Sequence, residues 1–553
     1  MTTKTREEWA KLGRRAFLQS GTLLAGAAAM PRILSIPRAF AQAGSTMVIA
    51  APATPQSLDC NFDVSLGTFE AIAALYDGLL GYERIIDPDV ATARREDIAY
   101  HADKMGGVNM YGKLAESWEL DPEGRWARFK LREGVLSNWG NELTAEDVKW
   151  TWDRAFALGA LGAFYTAVSG LTRPDNVKVE DKYTVSFNID EPNPLLLKIH
   201  TNLYTPVYDS KKCKEMGGSE DPWARKFIEN NSAGFGPYRL EQMIRGQQAI
   251  FKAREDYYAG KPAIDTVIFK EVPTSAARVQ LLRGGAVDIA QYLQPLEIIS
   301  LEGVPNVAVE TVPASFMIWI ELNAALEPFD KPDVRRALNY AFPQDQVMKA
   351  VFQGLADPLN GCMPNIYPGF AGDLVDYSYN LEKAKELLAK AGHGDGFKTT
   401  LAYNAGDPVQ EPIAIIYQTA LREIGVELEL RKVPAGSFYN AVTERKQPMI
   451  FYVDSPWCPD PGYSLTLYFD SKSYVNYSNY KNDEVDRLLA EMASTADEKV
   501  RLELAKKAQA IIMDEAPWTF VAYPNYTMAR KGNLEGWTYY TSNNIRFQDF
   551  ERS

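Results

Sequence analysis

Short β-type runs alternate with capped amphipathic helices from residue 46 to the C-terminus, and that interleaving confines the chain to mixed α/β domains. The β-type runs cover residues 46–50, 127–131, 183–187, 266–269, 426–430, 449–453 and 518–521. Several alternate apolar and polar side chains, as half-buried strands do. The helical stretches carry their own start and stop signals. Thr144 with Asp147 three residues on predicts a capping box ahead of Val148, Trp152 and Ala155. Asn380 predicts a cap for Ala384, Leu387, Leu388 and Ala391, with Gly392 as the stop, and Asn482 predicts another for 485–492. Residues 415–424 end at Gly425, and 500–513 form an amphipathic stretch closed by Pro517. Their apolar stripes read as core faces. No 20–50-residue period recurs, so the elements build domains rather than a repeat array.

The first 41 residues follow a different logic. Arg14-Arg15 precede a weakly apolar stretch at 20–30, and Ala39-Phe-Ala41 forms a small-x-small cleavage signature. Basic region, apolar region and cleavage site in that order predict an export signal. The paired arginines point to the twin-arginine route, with a periplasmic product beginning near Gln42. The apolar stretch is too short to span a bilayer stably. This segment holds seven Lys/Arg and two Asp/Glu in a chain of net charge -13, so the remainder stands near -18. Such an acidic body disfavours nucleic acid and anionic membrane surfaces as partners. The length suffices for two or three domains with substantial cores.

Catalytic and metal chemistry find little support. The four cysteines, Cys60, Cys213, Cys362 and Cys458, form no CxxC pair, which leaves a zinc site without its spacing. Only His101, His200 and His393 exist, and none stands in a Gly-x-Ser-x-Gly or His-Glu-x-x-His context. A secreted hydrolase or a nickel-type metal-chelate binder remains as an alternative. No cofactor is expected.

Seven blocks in order carry a resemblance. They are Leu114-Ala-Glu-Ser-Trp-Glu-Leu-Asp-Pro with Phe129-Lys-Leu-Arg-Glu-Gly-Val135, then Leu143-Thr-Ala-Glu-Asp-Val148, then Gly234-Phe-Gly-Pro-Tyr238. Tyr258-Ala-Gly-Lys-Pro262, Ala277-Arg278 to Val287-Asp-Ile289, Pro328-Phe-Asp to Val334-Arg-Arg-Ala-Leu338, and the Asn380 helix follow. Together they resemble the peptide/nickel-type solute-binding proteins of ABC importers, family 5. The resemblance implies a bilobed, Venus-flytrap α/β fold with a third, inserted domain. It places lobe I at 42–74, 230–314 and 516–553, the inserted domain at 75–229, and lobe II at 315–515. It implies a monomer that closes on a peptide or small-molecule ligand and docks on a membrane permease with its ATPase subunits.

The resemblance also supplies candidate ligand contacts. Ser57 and Asn61 follow the first strand. Ser315, Phe316 and Trp319 lie where the chain enters lobe II. Asn404 begins a cleft loop, and Asn476 follows the Asp-Pro segment. That segment, Asp454-Ser-Pro-Trp457-Cys-Pro-Asp460-Pro461, resembles the family's Trp-x-x-Asp-x-x-Asp/Glu-Pro with the first two residue types exchanged. Trp457 then stands where peptide binders keep an aspartate for the ligand ammonium, and Asp454 stands where they keep a tryptophan. Residues 403–416, which in dipeptide binders supply an arginine for the ligand carboxylate, contain no Arg or Lys. A buried ligand charge without a partner is costly, so free dipeptides are expected to bind poorly. Peptide-like, glycosidic, aromatic and other polar solutes stay open.

Overall fold

The computed structural model describes residues 45–553 except Val64 and Asp373. The proposed export signal therefore lies outside the described residues.

Two large sheets define two lobes. The first is seven-stranded. Its centre is the strand Thr46–Ala51, which runs parallel to both Thr266–Glu271 and Ile289–Ala290, in the register Thr46 to Thr266 and Ile49 to Ile289. Tyr238–Ile244 and Gln248–Ala253 extend one side as an antiparallel hairpin, and Tyr526–Lys531 with Val307–Val312 close the other. The second sheet is six-stranded, in the order Ala356–Pro358, Trp518–Pro524, Met317–Leu322, Met449–Asp454, Phe397–Asn404 and Val426–Val433. Between the first two strands of lobe I the chain builds a separate four-stranded antiparallel sheet from Ala115–Leu120, Trp126–Leu131, Thr184–Asn188 and Val177–Asp181. Its apolar side and that of lobe I share one continuous core that includes Phe129, Phe187, Tyr208, Phe235 and Phe547. Lobe II has its own core around Trp319, Tyr417, Tyr468 and Trp518.

The chain crosses between lobes twice, at 313–316 and at Asn525. The second crossing corrects the boundary expected at 515/516. Trp518–Pro524 pairs with Met317–Leu322 in the lobe II sheet, and only from Tyr526 does the chain rejoin lobe I. The reason is packing. Trp518 stacks on Trp319 with ring centroids 4.2 Å apart, and both are fully buried, so the aromatic pair holds this strand in lobe II.

Local signals act as read from the sequence. Asp147 accepts from the Thr144 N–H at 2.8 Å at the start of the helix Ala145–Leu158. Asn380 and Asn482 cap Leu381–Lys390 and Asp483–Ala493 through their side chains. The family blocks prove to be structural clamps. In the Gly234-Phe-Gly-Pro-Tyr238 block, a Cβ on Gly236 would lie 2.4 Å from the carbonyl carbon of Leu75, so only glycine admits the backbone there. Arg278 donates to the carbonyls of Gln291 and Tyr292, each at 2.8 Å, and fixes the loop after Ile289–Ala290. Asp288 accepts from the Val48 N–H at 2.7 Å and ties the entry of Ile289–Ala290 to the central strand. All four cysteines are free and buried.

Candidate functional site

The lobes meet along a seam in which the inserted domain faces the segment after Met449–Asp454. Lys198, on a short helical turn of the inserted domain, puts its Nζ 2.6 Å from Asp460 and 2.9 Å from Glu498, both in lobe II. Arg501 closes the group with a bidentate pair to Asp460, at 2.7 and 2.9 Å. Lys198, Asp460 and Arg501 are all at most 2% exposed. Asp460 also accepts from the Tyr463 N–H and so caps the helix Pro461–Phe469. Burial opposes its ionisation, but Arg501 and Lys198 outweigh that and hold the carboxyl far below its usual range. A second contact across the seam is the Asn202 side-chain amide, which donates to the Trp457 carbonyl at 3.1 Å.

Trp457 sits in an aromatic cluster built from both sides. Its ring centroid is 5.1 Å from Tyr204, 6.0 Å from Tyr165 and 6.1 Å from Phe164, all in the inserted domain. Phe164 reaches Tyr463 of lobe II at 6.5 Å. The hydroxyls of Tyr165 and Tyr204 are buried and have no hydrogen-bond partner. Next to this cluster stands Asp454, at the end of its strand. It is half-buried, and its Oδ1 accepts from the Ser455 N–H at 2.7 Å. Burial pushes its pKa up to about 6; the groups acting on it are Ser455 and Tyr468, with no lysine or arginine among them. Tyr452, Tyr463, Tyr468 and Tyr474 all feel its charge. The two aspartates of the segment therefore differ in kind. Asp460 is saturated by cations of the protein, and Asp454 faces tyrosines.

A second carboxyl without a cationic partner lies on the lobe I side. Glu70, on the helix Thr68–Leu75, accepts from Gln291 Nε2 at 2.8 Å, and its other oxygen has no partner. Burial pushes it up to about 7. Tyr292 and Tyr204 are both close enough to feel it.

Of the sequence-predicted contacts, Asp454 and Trp457 share the seam segment, and Phe316 is a half-buried ring packed against the same core as Trp457. Ser57, in a loop, and Asn404, at the end of the strand Phe397–Asn404, are both half-buried. The Ser57 hydroxyl accepts from the Asp59 N–H, and Asn404 Oδ1 accepts from the Gly406 N–H at 2.8 Å. Four expectations are corrected. Trp319 is fully buried in lobe II, its indole N–H donating to Glu321 at 2.8 Å. Asn476 is buried and holds its own turn, donating to the Tyr480 carbonyl at 2.8 Å and accepting from the Tyr480 N–H at 3.0 Å. Asn61 accepts from Arg154, whose guanidinium pairs with Asp59 inside the lobe I core. Ser315 is buried in the hinge, where its Oγ lies 2.6 Å from Ser455 Oγ and accepts from Asn543 Nδ2 at 2.9 Å. The side-chain polar atoms of Trp319, Asn476 and Ser315 are spent on the protein, and the Asn61 carbonyl oxygen is spent on Arg154.

Sequence reasoning missed Lys198, Arg501, Glu70 and the tyrosines of the inserted domain. Lys198 did carry a signal, since it follows Leu195-Leu-Leu in an apolar stretch where a lysine needs a buried partner. Among the described residues no group of three or more potential metal ligands occurs. His200, the histidine nearest the seam, is buried against Phe129, Phe187 and Trp152, and burial lowers its pKa to about 3.

Residues 109–476 match the family model described as bacterial extracellular solute-binding proteins, family 5 Middle. The chain is 26% identical over 500 residues to the probable D,D-dipeptide-binding periplasmic protein DdpA of Escherichia coli strain K12, covering 89% of this chain and 91% of that protein. It is 27% identical over 449 residues to the dipeptide-binding protein of the same strain, covering 76% and 82%. Among solved structures, the ABC transporter-associated periplasmic binding protein DppA from Helicobacter pylori, in complex with the peptide STSA, superposes with a TM-score of 0.75. That match has 24% identity and covers 92% of this chain and 98% of that one. With two lobes, an inserted domain and a family match over two thirds of its length, this chain belongs to the bacterial extracellular solute-binding proteins of family 5.

Proposed function

We propose that this protein is the periplasmic receptor of an ABC importer and that it captures a solute presenting a cationic or donor-rich group with a ring or apolar body, and no free carboxylate. The carrying observation is the contrast between Asp460, neutralised by Lys198 and Arg501, and Asp454, which faces tyrosines and no cation. A ligand ammonium or hydroxyl would supply the partner that Asp454 lacks, and Trp457 with Tyr463 would pack its body. A modified peptide and a glycoside both fit that description. A free dipeptide also brings an α-carboxylate, and residues 403–416 offer it no arginine or lysine.

Export through Arg14-Arg15 accords with this reading, as do relatives described as periplasmic and the absence, among the described residues, of any helix long and apolar enough to cross a membrane. Work as a monomer and as a binder without turnover rests on the family alone. The two-lobed design needs no reacting group, only a cleft that sheds water on closure.

Mass spectrometry of ligand released from natively purified protein identifies the solute. Titration calorimetry then compares it with a panel of free dipeptides. The proposal expects one released solute without a free carboxylate, bound more weakly by Asp454→Asn. Submicromolar binding of several free dipeptides would overturn it.

A further inference from the structure

Two tyrosines near the seam stand apart from the protein's own packing. Tyr292 follows the strand Ile289–Ala290 of lobe I, and Tyr474 follows the helix Pro461–Phe469 of lobe II. Neither belongs to an apolar core or packs against one, and neither side chain makes a hydrogen bond, ion pair or ring contact among the described residues. Tyr474 is 63% exposed. Tyr292 is half-buried, yet its hydroxyl is not sealed off as those of Tyr165 and Tyr204 are. Aromatic rings ordinarily supply core or interface area, so a pair with neither use is available to a solute.

Tyr292 is held in place at a cost. Its φ is 53°, in the left-handed region that a tyrosine seldom adopts. Arg278 clamps the turn. Besides the Gln291 and Tyr292 carbonyls, it donates to those of Val272 at 2.6 Å and Pro273 at 3.0 Å, so one buried guanidinium is spent on four carbonyls. Strained residues fixed this firmly cluster at ligand sites. Both tyrosines border the same aromatic wall. Tyr165 and Tyr204 of the inserted domain stack at 6.0 Å with planes 12° apart, and both pack on Trp457. Glu70, Tyr526 and Tyr204 act electrostatically on Tyr292. Tyr439 and Asp454 act on Tyr474, which in turn acts on Tyr165. One open tyrosine on each lobe thus adjoins the place where Asp454 and Trp457 lie.

A solute seated on Asp454 and Trp457 would cover both hydroxyls and displace their water. A hydrocarbon body would leave them without partners, at a penalty. A body carrying hydroxyls would satisfy both, because a phenol donates and accepts. We propose that Tyr292 and Tyr474 are specificity-determining residues of the interlobe cleft and that its solute is a polyhydroxylated ring amine, such as an amino sugar. This rests on the reading of Asp454 as the carboxylate that meets the solute. The ammonium pairs with Asp454, the ring packs on Trp457, and ring hydroxyls bond with Tyr292 from lobe I and Tyr474 from lobe II. Because the two hydroxyls come from different lobes, both bonds form only when the lobes close on the solute.

The test is titration calorimetry on the solute-free protein with three probes. Glucosamine carries ring, charge and hydroxyls. N-acetylglucosamine keeps the ring and hydroxyls without the charge, and cyclohexylamine keeps the ring and charge without the hydroxyls. Glucosamine should bind about tenfold or more tighter than either. Tyr292→Phe and Tyr474→Phe each remove one hydroxyl and keep the ring. Each should weaken glucosamine severalfold more than cyclohexylamine, with the melting temperature of the free protein unchanged. Asp454→Asn should weaken both amines. Equal affinity for glucosamine and cyclohexylamine overturns the proposal and leaves the cation reading of Asp454 standing, and so does glucosamine binding that neither tyrosine variant changes. N-acetylglucosamine bound as tightly as glucosamine, with no effect of Asp454→Asn, overturns the reading of Asp454 itself. Binding of none of the three probes overturns the proposed solute class.

Discussion

Lys198 of the inserted domain and Asp460 of lobe II are joined at 2.6 Å, and both side chains are almost wholly buried. This pair spans the seam that must part when the lobes open. Opening it would take Lys198 away from both of its carboxylate partners, Asp460 and Glu498, while Asp460 would keep Arg501. The pair therefore favours contact between the lobes even without ligand, and any ligand has to shift an opening equilibrium that the protein itself biases. Lys198→Met should loosen the seam. Small-angle scattering of the ligand-free variant should give a larger radius of gyration than the parent. Chemical denaturation should show a loss of about 3 kcal/mol, the lower end for a broken buried pair, because Arg501 still neutralises Asp460. Unchanged scattering would show that the seam is held elsewhere.

The same cluster sets an acid limit. Asp460 is depressed in the folded state, so its contribution is present above the carboxyl value of the unfolded chain, near 3.8, and is lost as pH falls below that. Arg501→Met should shrink the loss of stability on acidification below about pH 4, since the depression then rests on Lys198 alone. Denaturation midpoints across pH 3–6 check this, and equal slopes for parent and variant would refute it.

Asp454 has the opposite sign. Its folded value, about 6, lies above the unfolded one near 3.8. The protonated form is favoured in the fold, so stability from this group is full below about pH 4 and is lost as pH rises through 6. Asp454→Asn should therefore stabilise the ligand-free protein above pH 6 and change little at pH 4. The gain is on the order of 1–3 kcal/mol. A cationic ligand prefers the carboxylate, so its affinity should rise with pH through about 6, and this dependence should vanish in Asp454→Asn. Tyr452, Tyr463, Tyr468 and Tyr474 face the group and stay protonated throughout this range, because burial raises each of them.

Trp457 separates a ligand role from a packing role. Its ring lies 5.1 Å from Tyr204 yet remains half-buried. Trp457→Ala should lower affinity for the native solute by about 1–3 kcal/mol, by analogy with stacked rings. Trp319→Ala, in the lobe II core, should cost about 3–5 kcal/mol of stability. Thermal denaturation with calorimetry reads both. If Trp457→Ala destabilises as much as Trp319→Ala and binding is unchanged, Trp457 is a packing residue.

The elements of both lobes were legible because each strand and cap is a local property. Asp147, Asn380 and Asn482 cap the helices that their sequences announce. The lobe boundary near 516 was not legible, since it depends on Trp518 meeting Trp319, some 200 residues away in sequence. The site divides the same way. Asp454 and Trp457 stood out because they depart from the family's pattern within one short segment. Asn61 and Ser315 looked equally polar on paper, but their partners Arg154 and Asn543 are set by tertiary packing, whereas Asn476 is spent on a turn of its own with Tyr480. Glu70 sits in an apolar helix, and its pairing with Gln291 joins residues more than 200 positions apart.

The hinge offers the last prediction. Asn543, in the C-terminal segment of lobe I, donates to both Ser315 Oγ at 2.9 Å and Ser455 Oγ at 2.8 Å. Ser315 lies on one crossing between the lobes and Ser455 follows the strand that ends at Asp454. One amide thus ties the crossing to the strand carrying the candidate ligand carboxylate. Asn543→Ala leaves two buried hydroxyls short of a donor, at about 1–3 kcal/mol. Asn543→Asp keeps the size but replaces the donor with an acceptor, and should cost more at neutral pH than at pH 4, where the carboxyl can regain a proton. Both changes lie away from Asp454, so ligand affinity should fall only through hinge geometry, with the pH dependence of binding through about 6 preserved. Denaturation at the two pH values and ligand titration across pH 5–8 measure these effects. Equal stability of Asn543→Asp and the parent at neutral pH would show that this amide does not hold the hinge.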